Sequence, residues 1–327
     1  MTKSIIVLFI LLVALSFSCS TVATKNEEVL DSTVVQGELI IFHASSMTEP
    51  MGKIITSFEA EYPHVKIKAE GSGSRKAARK IIERNRKCDV LISSDYQVIK
   101  NLLIPNFTDW YIEFAGNEMV IAYNSNSKKH EVINSQNWYK ILLEDDVHFG
   151  RADPDYDPSG YRAVICIKLT ELYYDEYGIK DKMLFKDKKF ILAKDMDLAQ
   201  LLKEDKVDYI FVYKSVAEQS GFKYIELPEQ INLKSRANAT YYAQAKTKIS
   251  GKMPGKYIEY KGAPIRYAIT QIRNAPNPRA AEAFIQFFID KSKGLEVLKR
   301  DKMSILDSIY IMPQDSTTLE IREQMKM

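Results

Sequence analysis

Histidine and cysteine are scarce in this sequence: the chain has 4 His and 3 Cys among 327 residues. The histidines (His43, His64, His130, His148) are scattered without the spacing of a zinc or other metal site. Cys88 borders the apolar run Asp89-Val90-Leu91-Ile92, and Cys166 lies inside an apolar helical pattern, so both read as small core residues and not as a disulfide or metal pair. There is no excess of one charge. The formal net charge is +3 with acids and bases interspersed, which argues against a nucleic-acid binder with its basic face. Beyond the N-terminus no run is long and apolar enough to span a membrane. No Gly-x-Ser-x-Gly elbow is present, no phosphate-binding Gly-Lys-Ser/Thr loop, and no internal repeat or low-complexity tract.

The N-terminus is rich where the rest is poor. Lys3 precedes the uncharged apolar run Ile5 to Leu15, and Ser16-Phe17-Ser18-Cys19 follows. The run is shorter than the roughly 20 residues of a spanning helix, so it reads as a cleaved export signal over 1–18. A cysteine at that junction resembles a bacterial lipobox, in which Cys19 becomes the lipidated mature N-terminus. An ordinary signal with an incidental cysteine is the plainer alternative. Residues 19–36 are polar and unpatterned, as expected of a tether.

From Gly37 onward strands and helices alternate. Glu38 to Ala44 reads as a strand, followed by a helix with Met51, Ile54, Ile55 and Phe58 on one face. Val65 to Ala69, Arg75 to Arg86 and Cys88 to Ile92 continue as strand, helix and strand. Glu118 to Tyr123 is a strand placed as a crossover, Ala163 to Tyr174 a helix, Val207 to Tyr213 a buried strand and Pro264 to Thr270 a return strand. Helices over 280–288 and 294–299 close the pattern. This predicts an α/β fold with mostly parallel sheets, in which ligands collect where strands end and helices begin. The expected organisation is one lobe from 37–118 and 265–327, interrupted by a second lobe at 119–264.

Several strand-to-helix junctions carry polar side chains. Ser45 and Ser46 follow the first strand, Ser74 closes Gly71-Ser72-Gly73-Ser74, and Asp195 and Asp197 precede the helix at Leu198. Tyr213 ends a buried strand. The sharpest junction is Asp153-Pro154-Asp155-Tyr156-Asp157-Pro158-Ser159-Gly160-Tyr161-Arg162, where carboxylates crowd a helix start. A helix N-terminus offers unpaired N–H groups and attracts anions, whereas carboxylates repel a simple anion. A site with both suits an oxyanion whose central atom accepts further oxygen ligands. Each junction also has a plain reading as helix capping or a tight turn, since Ser and Asp are preferred caps. The acidic run lacks the spacing of an EF-hand calcium loop. A carboxylate pair beside Tyr156, Tyr161, Trp110 and Trp138 also leaves a secreted glycoside hydrolase open.

In order, Phe42-His43-Ala44-Ser45-Ser46, the segment Gly71 to Lys80, Asp109-Trp110-Tyr111 with Asn117 to Tyr123, Asp157 to Arg162, and Asp208 to Ala217 resemble the tungstate/molybdate-binding proteins of ABC transporters, in the branch first associated with archaea. The similarity extends over nearly the whole chain from Gly37. It implies a two-lobed periplasmic-binding-protein fold of type II closing over one oxyanion in the interlobe cleft. It implies no enzyme activity and no cofactor, with tungstate or molybdate as the ligand. In that branch the metal centre takes four oxo groups and two protein carboxylates. By position Ser45, Ser46 and Ser74 then match oxo-binding residues, Asp157 the first carboxylate ligand, Ser159 a hydroxyl or backbone contact, and Tyr213 the strand-end tyrosine. Asp195 stands where the family has Glu, one methylene longer, with Asp197 or Glu226 as the other choices. The implied setting is extracytoplasmic, periplasmic or cell-surface, anchored by lipid at Cys19. The implied partner is an ABC permease with its ATPase, served by a monomer and without nucleic acid. A receptor for sulfate or phosphate, or for a metal cation held by acids and tyrosine, remains the alternative within the same class.

Overall fold

The structure, a computed structural model, describes residues 34–253 and 255–312. The export signal, Cys19 and the tether as far as residue 33 lie outside the described residues.

The first sheet draws on both ends of the described chain. It contains β1 (Gly37–Ala44), β2 (Val65–Ser72), β3 (Val90–Ser93) and β4 (Tyr111–Gly116). The second sheet is built from the middle: β5 (Met119–Tyr123), β6 (Phe149–Ala152), β7 (Ile191–Leu192), β8 (Tyr209–Tyr213) and β9 (Lys223–Glu226). A separate hairpin, β10 (Lys246–Ser250) with β11 (Tyr257–Lys261), follows. The chain then returns to the first sheet through β12 (Arg266–Gln271) and β13 (Ser304–Met312). The strand orders are β13-β4-β12-β3-β1-β2 and β7-β6-β8-β5-β9.

The apolar run of β1 reflects burial on both faces. Leu39 and Ile41 pack with Met51, Ile54 and Phe58 of the helix Thr48–Glu61. Phe42, on the opposite face, packs with Ala77, Ala78 and Ile81 of the helix Ser74–Arg84. A strand covered by helices on both sides loses the polar alternation of a half-exposed one. Cys88 and Cys166 are free and buried in these cores.

Both sheets are mixed, and less parallel than the strand–helix alternation suggests. β1 runs parallel to β2 and β3, and β6 parallel to β7 and β8. β12 is antiparallel to β3 and β4, β13 to β4, and β5 to β8 and β9. Parallel neighbours need a crossover, usually a helix. The strands that join the two sheets arrive by other routes.

The crossing from β4 to β5 is only Asn117-Glu118, and it is tied down. Glu118, nearly buried, accepts hydrogen bonds from Asn232 Nδ2 at 3.1 Å and Lys234 Nζ at 3.2 Å, with Lys214 Nζ at 3.3 Å. Asn117 Nδ2 donates to Ser215 Oγ at 2.9 Å. The return strand β12 pairs with β4 at Arg266 and Gly116, so the two crossings lie side by side.

Candidate functional site

Ser45 lies directly after β1, in the turn Ser45–Met47 that leads into the helix Thr48–Glu61. Its hydroxyl oxygen is 2.6 Å from Asp195 Oδ1 and 3.2 Å from Asp157 Oδ2. One hydroxyl proton can be donated to only one of these acceptors at a time. Ser45, Asp157 and Asp195 are all buried.

Each carboxylate is placed by a helix start. Asp157 caps the helix Pro158–Tyr174: its Oδ1 accepts from the Ser159 backbone N–H and from Ser159 Oγ, both at 2.9 Å. Pro158 suits that first turn because its missing N–H needs no partner there. Asp195 opens the helix Asp195–Lys203, where its Oδ1 also accepts from Met196 N–H at 2.9 Å. Asp195 Oδ2 is buried and accepts no hydrogen bond. A buried carboxylate oxygen without a donor is costly, and it leaves an acceptor unused within this cluster.

Burial pushes both carboxyls above their usual range. For Asp195 burial, followed by the neighbouring charge of Asp157, raises the pKa to about 7. Asp157 is raised by burial, against which the Ser159 N–H and hydroxyl, Ser45 and the charge of Arg162 act. Two acids this close titrate as a pair, and the second proton is the harder to remove.

The remaining candidate residues surround this pair without touching it. Ser74 Oγ accepts from Ser94 N–H at 3.0 Å and lies 3.2 Å from Ser94 Oγ. Ser46 Oγ is 2.9 Å from the Tyr267 hydroxyl. The Tyr213 hydroxyl accepts from Arg162 Nη1 at 2.7 Å. The loop before Ser74 packs on the acidic turn. A Cβ on Gly73 would stand 2.3 Å from the Tyr156 carbonyl oxygen, and Lys76 N–H donates to that oxygen at 3.2 Å. Glycine is needed here for close approach of two backbones.

Asp197 and Glu226 lie elsewhere. Asp197 pairs with Lys194 at 3.1 Å and Glu226 with Lys214 at 2.6 Å, both with side chains open to solvent. Of the four aromatics that could form a sugar platform, Trp138 is buried against Phe211 and the Tyr161 hydroxyl is turned onto Asp95, whereas Trp110 is half-buried and Tyr156 exposed. Among the described residues no group of three or more His, Cys, Asp or Glu could hold a metal ion.

Sequence reasoning missed Ser94, Asp95, Arg162, Tyr260 and Tyr267. Ser93-Ser94-Asp95 after β3 repeats the pattern of small polar residues at a strand end, and that signal could have been used. Nothing in a single sequence announces that Arg162 and Asp95 are fully buried.

The profile of a family described as bacterial extracellular solute-binding protein matches residues 39–301. A molybdate/tungstate-binding protein of Pyrococcus abyssi is 38% identical over 298 residues, covering 82% of this chain and 85% of its own. An uncharacterized solute-binding protein of Petrotoga mobilis is 47% identical over 256 residues, covering 78% and 80%. The solved periplasmic molybdate-binding protein of Azotobacter vinelandii superposes with a TM-score of 0.59 at 13% identity, over 82% of this chain and 100% of that one. At that identity the likeness is one of fold, the two-lobed α/β architecture of periplasmic binding proteins.

Proposed function

This chain belongs to the family of bacterial extracellular solute-binding proteins, and we propose that it captures tungstate or molybdate outside the cytoplasm and hands it to an ABC permease. The observation that carries the reading is the unpartnered Oδ2 of Asp195, buried beside a second buried carboxylate on the same serine hydroxyl. The name carried by the Pyrococcus abyssi relative supports it.

Ser45, Ser46 and Ser74 bring hydroxyl donors to the ends of strands, and the helix starts at Ser74 and Pro158 bring positive dipole ends. These groups suit oxo ligands. Asp157 and Asp195 bring only acceptors once ionised. Hexavalent tungsten or molybdenum is hard and can take two more oxygen ligands beyond its four oxo groups. Sulfate and phosphate cannot expand in this way, and two carboxylates repel them. Although Asp195 is a methylene shorter than the glutamate the family pattern carries, its position as first residue of its helix brings its carboxylate to the same hydroxyl as that of Asp157.

The receptor performs no chemistry. It works as a monomer, held to the membrane by lipid on Cys19. No helix of the described residues is long and apolar enough to cross a membrane. The test is calorimetry on the ligand-stripped protein with tungstate, molybdate, sulfate and phosphate. Heat from the first two with silence from the others is the expected result. Binding of sulfate or phosphate at similar strength would remove the metal-ligand role from both aspartates, and silence from all four would end the oxyanion reading.

A further inference from the structure

A second buried charge pair lies beside the carboxylates, and the binding chemistry above does not use it. Asp95 follows β3 and the Ser93-Ser94 turn, so it is carried by the first sheet. Its Oδ1 serves a local role, accepting from Gln97 N–H at 2.9 Å. Its Oδ2 is met by side chains from the opposite side of the cleft. The Tyr161 hydroxyl donates to it, the Tyr260 hydroxyl donates at 3.2 Å, and Arg162 Nη2 stands 3.4 Å away. Tyr161 and Arg162 sit on the helix Pro158–Tyr174, which packs on β5, β6 and β8 of the second sheet. Tyr260 belongs to the hairpin that packs on that same helix. Its ring lies against that of Tyr161 with centroids 4.1 Å apart. Arg162 Nη1 reaches across as well, donating to the Ser94 carbonyl at 2.7 Å. The side chains of Asp95 and Arg162 are both wholly buried.

We propose that Asp95 is a positioning residue for cleft closure: it draws the first turn of the Pro158–Tyr174 helix, and with it Asp157, against Ser45. This rests on the reading of the cleft as an oxyanion site. Burying two charges costs about as much as their attraction returns unless their remaining hydrogen-bonding groups are also met. Here the two phenols meet Asp95 and the Ser94 carbonyl meets Arg162 Nη1 only when both sides are in register, while Arg162 Nε and Nη2 stay buried without a hydrogen bond. The cluster therefore contributes little overall attraction and strongly favours one closed geometry. When the sides part, Asp95 and Arg162 regain water. Removing the pair thus penalises the closed, loaded form and leaves the open form nearly untouched, and ligand contacts made only in the closed form set the balance.

The experiment compares the full chain with Asp95→Asn and Tyr260→Phe, using tungstate as the probe. Asp95→Asn is expected to weaken binding by ~10- to 100-fold, the range for losing a hydrogen-bonded buried charge. The loss falls mainly on the dissociation rate, since encounter occurs in the open form. Tyr260→Phe removes one donor at constant shape and gives a smaller loss in the same direction. Thermal midpoints of both unliganded variants stay near that of the parent. Unchanged affinity in both variants would overturn the role of Asp95 and leave the cleft reading intact. A fall in affinity matched by a fall in the unliganded thermal midpoint of both would assign the cluster to fold stability alone, also overturning it. A parent chain that takes up no tungstate would overturn the cleft reading and this inference with it.

Discussion

The Ser45 hydroxyl lies 2.6 Å from Asp195 Oδ1, joining the end of the first strand to a helix start 150 residues away. The same hydroxyl faces Asp157, so one small side chain stands between two buried acids. Two buried acids this close cost stability, and on the proposed reading they serve binding; the first and third predictions follow from that tension.

Asp195→Asn is expected to raise the thermal midpoint of the unliganded protein at pH 8 while abolishing tungstate binding. The amide removes the repulsion that helps lift the Asp195 pKa, and it removes the acceptor charge the ligand needs. Paired melting curves and titrations check both halves. A variant that binds normally would eliminate Asp195 as a ligand.

Asp157→Ala is expected to lose most tungstate affinity with sulfate binding still negligible. It also removes a helix cap, at about 1 kcal/mol of stability. A folded variant with unchanged tungstate affinity would sink the role given to Asp157.

Acidity should act oppositely on stability and binding. In the folded chain, buried with Asp157 beside it, Asp195 holds its proton up to about pH 7, whereas in the unfolded chain it releases it near the ordinary value of about 4. A folded pKa raised above the unfolded one gives a contribution fully present below the unfolded value and lost as pH rises through the folded one. Unliganded stability from this group therefore declines between roughly pH 4 and 7. Binding requires the ionised form, so tungstate affinity rises over the same interval. Melting curves with and without tungstate across that range should diverge as pH rises. Parallel curves would show that the ligand does not engage Asp195.

Gly73→Ala places a methyl 2.3 Å from the Tyr156 carbonyl oxygen, so the loop before Ser74 and the acidic turn must separate. An overpacked contact of this kind costs about 1–3 kcal/mol. Because the contact joins the two sides of the cleft, weaker tungstate binding is expected with a smaller change in the unliganded thermal midpoint. Titration and melting of the variant decide whether the strain falls on closure.

Much of this arrangement was legible in the sequence, and the reasons differ by element. β1 and β8 announce themselves as short apolar runs because both faces are covered. Asp157 and Asp195 are visible because they precede helices, and a helix start is a local matter. β10 and β11 were missed: Lys246, Lys248, Tyr257 and Glu259 face solvent, which leaves little apolar alternation to read. β13 is not legible because it is an edge strand in which only Ile311 is buried, so it carries no regular apolar alternation. Asp95 and Arg162 look like ordinary surface charges in the sequence. Only the meeting of segments 66 and 165 residues apart, at Tyr161 and Tyr260, makes Asp95 interior.

The order in which strands enter the two sheets has a consequence for how the molecule comes into being. The second sheet takes its strands from one uninterrupted stretch, β5 through β9, whereas the first waits for β12, which lies between β3 and β4. A chain emerging from its N-terminus therefore has the whole middle sheet in hand while the outer one still has a gap in its centre. Closing that gap joins segments far apart in sequence, the slow kind of step. Pulse-labelling of amides during refolding should show β5 and β8 protected before β3 and β4, and simultaneous protection would count against this order of assembly.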